Sequence, residues 1–135
     1  MAEGARPRPG KGRAAKLLSR LPLPQPHPVE RNLREGDEVA GFTVLDVPGH
    51  SPGHVAYWRE SDRTLICGDV LFNLSLPTLK PGLREPYDML TADPPRNRDS
   101  ARRLAELKPG LVLFGHGPPL RDGDSFVRFV ESLPA

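Results

Sequence analysis

Proline sets the first limit on this chain. It occurs 17 times in 135 residues, beside 13 glycines. Proline lacks a backbone donor and breaks helix interiors, while glycine weakens them. Punctuation this dense excludes a long helical bundle or a coiled coil and calls for short elements joined by many turns. Hydrophobic residues make up 37% of the chain, with five Phe, two Tyr and one Trp, so the expected core is modest. The length suits one domain.

Charge divides the chain unevenly. Arg6, Arg8, Lys11, Arg13, Lys16 and Arg20 stand against Glu3 alone in the first twenty residues, although the whole chain carries only +2. Residues 1–27 read as a basic, Pro/Gly-rich tail and linker, with a helical turn or two over Ala14 to Leu21. An extended run through Pro22, Pro24, Pro26 and Pro28 follows. A solvated tail is preferred here to a nucleic-acid arm, because the stretch has no aromatic side chain to stack on bases. His27, between two prolines, reads as a surface residue. No apolar run reaches the roughly 18 residues of a membrane span, and no apolar segment follows the basic start as a secretory signal requires. A single cysteine, Cys67, excludes an internal disulfide and suits a reducing compartment. The expected location is the cytoplasm, with no membrane partner.

Residues 28–135 read as the folded domain. Gly36-Asp37 makes a turn, and Phe42 to Val47 alternates as a strand. Val55 to Trp58 and Thr64 to Cys67 form two more strands. The short polar turn Glu60 to Arg63 makes these two antiparallel. Residues 73–92 read as irregular, interrupted by Pro77, Pro81 and Pro86. Asp93-Pro94-Pro95 opens a helix, with aspartate as the cap and proline in the first turn. Leu111 to Phe114 is a short buried strand. Asp122 or Asp124 caps a last amphipathic helix carrying Phe126, Phe129, Val130 and Leu133. The order strand, strand, strand, helix, strand, helix predicts an α/β (α+β) domain with a small mixed sheet. Its helices, at about 95–107 and 124–133, lie on one face.

Three segments place a metal-capable side chain beside glycine at the end of a strand. They are Pro48-Gly-His50-Ser-Pro-Gly-His54, Gly68-Asp69 and Gly115-His116-Gly117. Glycine permits the turn and lets the side chain reach past the sheet edge. Imidazole with carboxylate suits zinc, iron or manganese. Each segment alone is a weak signal; the three in this order are much more specific.

That order resembles the second half of a metallo-β-lactamase-fold hydrolase of the glyoxalase II kind, over about residues 28–134. The resemblance implies half of an αββα sandwich and a metal site to which His54, Asp69 and His116 contribute. It makes His54 a ligand of one metal, Asp69 a bridge between two, and His116 a ligand of the second. His50 is outside the ligand pattern and reads as a turn former or a donor behind the ligands. The implied reaction is metal-dependent hydrolysis of a thioester, ester or amide of a small-molecule substrate. The family's other ligand motif, His-x-His-x-Asp-His, does not occur among the four histidines His27, His50, His54 and His116. The reading is therefore of a truncated enzyme with an incomplete zinc site, weak or inactive alone, that self-associates or needs a complementary half. Two alternatives stay open: a non-catalytic binding or regulatory relic of that fold, and a small α/β domain that binds nucleic acid through its tail.

Two other groups carry polar or reactive side chains near these segments. Period-two alternation would set Cys67 on the face of Asp69, yet a small buried strand residue is preferred to a thiolate ligand. Arg84-Glu85 with Tyr87-Asp88 falls where the family often places substrate contacts; a solvated loop is the preferred reading there.

Overall fold

A computed structural model describes residues 27–135. The chain divides into two units, Met1–Asn32 and Leu33–Ala135. The expectations for the basic tail, its helical turn and Pro22 to Pro26 lie outside the described residues. Residues 27–32 are exposed and irregular, His27 among them.

The second unit is built on a five-stranded mixed sheet. Its strands are β1 (Glu38–Val39), β2 (Phe42–Asp46), β3 (Val55–Arg59), β4 (Thr64–Gly68) and β7 (Leu111–Phe114), in the order β1-β2-β3-β4-β7. The first four are antiparallel neighbours, and β7 joins β4 in parallel. The β3–β4 turn closes with Arg63 at φ +56°. A parallel partner requires a crossover, and residues 69–110 supply it.

Two helices lie in and after that crossover: α1 (Pro94–Glu106) and α2 (Gly123–Glu131). Asp93 caps α1 by accepting the Arg96 N–H, with prolines in its first turn, and Asp122 caps α2 by accepting from Ser125 N–H. Both caps leave fewer orphan donors at the helix start. Trp58, Leu65 and Val112 stand in one cross-strand row. With Ala56 and Cys67 they meet Ala101, Leu104 and Ala105 of α1 and Phe126 and Val130 of α2 in one buried cluster. Both helices thus cover the same sheet face. Val127, Phe129 and Leu133 flank the cluster without being fully buried.

Between β4 and α1 the sequence reading needs correction. Residues 73–92 are not wholly irregular. β5 (Phe72–Leu74) and β6 (Pro81–Arg84) pair antiparallel as a separate ribbon, and one 3-10 turn spans Asp88–Leu90. Pro81 opens β6, the strand position where a missing N–H costs least. Short β1, at the sheet edge, was also outside the sequence reading. No helix among the described residues is long and apolar enough to cross a membrane.

Candidate metal centre

Three turns meet at the end of the sheet where β4 and β7 finish. The loop after β2 carries His50 and His54, and Val47 N–H donates to His54 O at 2.9 Å to close it. Asp69 follows Gly68, which has φ +56° and ends β4. His116 follows Gly115, whose N–H donates to Gly68 O at 2.9 Å and ties the two strand ends together. The left-handed turn at Gly68 also interrupts the alternation of β4. Cys67 stays in the helix-side core, while Asp69 turns toward the histidines.

The side chains converge on Asp69. His116 Nδ1 lies 2.8 Å from Asp69 Oδ1, and His50 Nε2 lies 3.5 Å from Oδ2. His54 Nε2 accepts the Asp69 backbone N–H at 3.0 Å, which fixes its other nitrogen as the protonated one when the ring is neutral. The rings of His50 and His54 meet edge to face at 5.6 Å. Convergence depends on the glycines. A Cβ on Gly68 would sit 2.8 Å from His54 Nε2, and one on Gly115 would sit 2.2 Å from Asp69 Oδ1. Asp69 and His50 are mostly shielded, while the His116 side chain is 41% exposed, so the cluster opens to solvent on its side. Burial holds the His50 imidazole below its ordinary value, the neighbouring histidines reinforce this, and the Asp69 carboxylate opposes it.

Residues outside the sequence reading support the cluster. Phe72 is 1% exposed and lies beneath the rings, 4.5 Å from His116 and 6.4 Å from His50 between centroids. Asn73 N–H donates to His116 O, and its side-chain amide donates to Pro118 O, both at 2.9 Å. Gly117 must remain glycine for this strap to close, because φ is +112° and a Cβ would lie 2.4 Å from the Asn73 carbonyl. Asn97 of α1 bonds the His50 loop and the Asp69 loop together. Phe72 follows Asp69 by three residues, a weak local cue. The two asparagines carry no cue, since their partners lie far away in sequence.

The other candidates separate. Cys67 is fully buried, and burial pushes its thiol up to about 12. Glu85 accepts from Arg98 Nε at 2.6 Å and pins the β6 end to α1. Tyr87 packs edge to face on Phe72 at 6.3 Å, and its carbonyl accepts from the Thr91 hydroxyl that adjoins His50. Asp88 is exposed in the 3-10 turn, and Arg84 is half-buried. A cavity of about 420 Å³ lined by Arg63, Lys108 and Arg121 lies away from the histidines.

Among the described residues, no three His, Cys, Asp or Glu side chains stand as a ready-made cage for a metal ion. The donors are bonded to one another instead. In residue type they fit a divalent transition metal: the imidazoles of His50, His54 and His116 and the Asp69 carboxylate gather at an open edge.

The comparisons with known proteins agree with this architecture. The family model of the metallo-beta-lactamase superfamily matches residues 3–116, a span that includes all three converging turns. A hydroxyacylglutathione hydrolase of Bdellovibrio bacteriovorus is 34% identical over 86 residues, 61% of this chain and 30% of that protein. A probable metallo-hydrolase of Bacillus subtilis, YybB, is 40% identical over 70 residues, 52% of this chain and 30% of its own length. The crystal structure of TTHA1623 in a di-iron-bound form superposes with a TM-score of 0.60 at 39% identity, covering 80% of this chain and 52% of that one. The chain thus spans under a third of these two relatives' length and about half of that structure. With the mixed sheet, its one-sided helices and the glycine-flanked turns, the match over residues 3–116 places the chain in the metallo-β-lactamase superfamily.

Proposed function

We propose that the chain contributes His54, Asp69 and His116 to a divalent metal site for hydrolysis of a small-molecule thioester, ester or amide. The observation that carries this reading is the meeting of both imidazoles at Asp69: His116 Nδ1 lies 2.8 Å from the carboxylate, and His54 Nε2 accepts the Asp69 backbone N–H at 3.0 Å. Neutral imidazole nitrogens and an ionised carboxylate are the donors that zinc, iron or manganese take. A bound metal supplies Lewis acidity toward a carbonyl oxygen. The protein's part is to hold the three donors on glycine turns and to leave the His116 side open to a substrate. A relative named for hydroxyacylglutathione hydrolysis favours a thioester, and a di-iron relative supports a transition metal.

Three donors leave positions open, and the chain has no His-x-His-x-Asp-His segment. Alone it therefore binds metal weakly, with about one equivalent or less, hydrolyses S-acyl substrates slowly, and associates with itself or a complementary chain. A cytoplasmic setting accords with its single buried thiol, and neither nucleic acid nor a membrane is expected as a partner. Metal analysis after dialysis against zinc tests the reading, with Asp69→Ala as the comparison. One equivalent or less in the wild type and loss in the variant support it. Equal zinc in both chains, or two tightly held ions, contradicts it.

A further inference from the structure

We propose that Asn97 is a positioning residue that locks the His50–His54 loop to the Asp69 loop and thereby sets the metal affinity of the cluster. The inference rests on the metal reading above. Asn97 lies in the second turn of α1 and is 2% exposed, inside a run of polar residues from Arg96 to Asp99. Its Oδ1 accepts the His50 backbone N–H at 3.2 Å, and its Nδ2 donates to Val70 O at 2.9 Å. One amide therefore spans the two loops, one bearing His54 and the other Asp69.

The Asn97 amide meets both needs at this place. A backbone N–H demands an acceptor and a backbone carbonyl a donor, so the orientation of the amide is determined. Aspartate keeps the acceptor and faces Val70 O with a second oxygen. Leucine, of similar size, leaves both buried backbone groups without a partner.

The surrounding contacts aim the same way. Gly49 has φ +143°, and a Cβ there would fall 2.3 Å from the Asn97 backbone, so glycine lets the helix close on the loop. The other edge of the loop is held by Asp93 N–H to Gly49 O at 2.9 Å and Ala92 N–H to His50 O at 3.1 Å. Ser100 Oγ donates to Pro48 O at 2.7 Å. Thr91 Oγ1 lies 3.4 Å from His50 Nδ1, leaving Nε2 facing the Asp69 carboxylate. The start of α1 and the residues just before it thus grip the loop at Pro48, Gly49 and His50, and Asn97 among these groups also reaches the Asp69 side. Partners behind metal ligands fix ligand orientation, and their loss typically weakens binding about 10–100-fold.

The test uses the full chain and cobalt(II), read by its visible absorption, in wild type, Asn97→Asp and Asn97→Leu. Cobalt affinity per folded molecule is expected to fall about tenfold or more in both variants, with a changed band shape. Folded variants that match the wild type in affinity and spectrum overturn the inference, even if their Tm is lower. Should both variants fail to fold, the wild type decides: zinc should shift the Asn97 side-chain NH2 signals in NMR together with the Val70 amide. An Asn97 signal indifferent to bound zinc overturns the proposal. A wild type that takes up no cobalt sinks the metal reading instead. The His50 and His54 ring signals then decide the positioning role, and rings unmoved in Asn97→Asp count against it.

Discussion

His116 and Asp69, 47 residues apart in the chain, face each other at 2.8 Å, Nδ1 to Oδ1. The approach is possible because Gly115 has no side chain: a Cβ there would stand 2.2 Å from the same carboxylate oxygen. The conflict is steric alone, since the Gly115 backbone lies outside the left-handed region. Gly115→Ala is therefore expected to swing the Asp69 carboxylate aside, leave the fold intact and weaken zinc binding at least tenfold. Gly53→Ala is the control, because nothing lies within 4 Å of its added methyl. Equal zinc affinity in the two variants would show that the Asp69 position does not govern the site.

Local features were legible in the sequence and long-range ones were not. The strands from Phe42 to Gly68 were legible because their alternation is local, and the helix starts because Asp93 and Asp122 cap within three residues. The three glycine-flanked turns were legible one by one, and their meeting was what the family resemblance implied. Asn97 was not: in sequence it is a polar residue among Arg96, Arg98 and Asp99, and its burial comes from a loop 47 residues earlier. The β5–β6 ribbon was hidden by Pro77, Pro81 and Pro86. Proline demotes a strand in sequence, but Pro81 only opens one.

Leu104 joins the inner face of α1 to both the sheet and α2, and it is fully buried. Leu104→Ala removes apolar burial and leaves a cavity, a loss of about 2–5 kcal/mol in unfolding free energy. Urea denaturation measures it, and a loss below about 1 kcal/mol would mean that the two helices do not share one core with the sheet. Zinc affinity of the molecules that stay folded should change little, since the apolar Leu104 side chain makes none of the hydrogen bonds that fix the three turns.

Glu35 gives the fold an acid-sensitive tie. Its carboxylate accepts from the Arg103 guanidinium and from the Asp46 N–H, and Arg103 also donates to Asp46 O at 2.8 Å. The Arg103 hydrogen bond chiefly holds the Glu35 carboxyl below its ordinary value of 4.5. A depressed folded value means that the folded state favours the ionised form. The contribution is present above about pH 4.5, and it is lost as pH falls through the lower folded value. Glu35→Gln should therefore lower the urea midpoint at pH 7 and lower it less at pH 3. A destabilisation that persists undiminished at pH 3 would assign the effect to packing instead. The side chains are about half exposed, so added salt should shrink the pH 7 difference as well.

Cys67 makes the converse case, with a neutral form favoured by burial. The thiol is fully enclosed between the sheet and the helices, and burial raises it from 9.0 to about 12. The unfolded chain ionises first, so stability is intact below about pH 9 and declines as pH climbs from there toward 12. At pH 8 the thiolate, the reactive form, is about a tenth of the unfolded thiol and far scarcer in the folded protein. Iodoacetamide should therefore label Cys67 at a rate set by opening of the fold, accelerated by urea and slowed by zinc wherever zinc stabilises the folded state. Labelling at the rate of a free thiol in native buffer would place Cys67 at the surface and remove it from the core that positions the three turns.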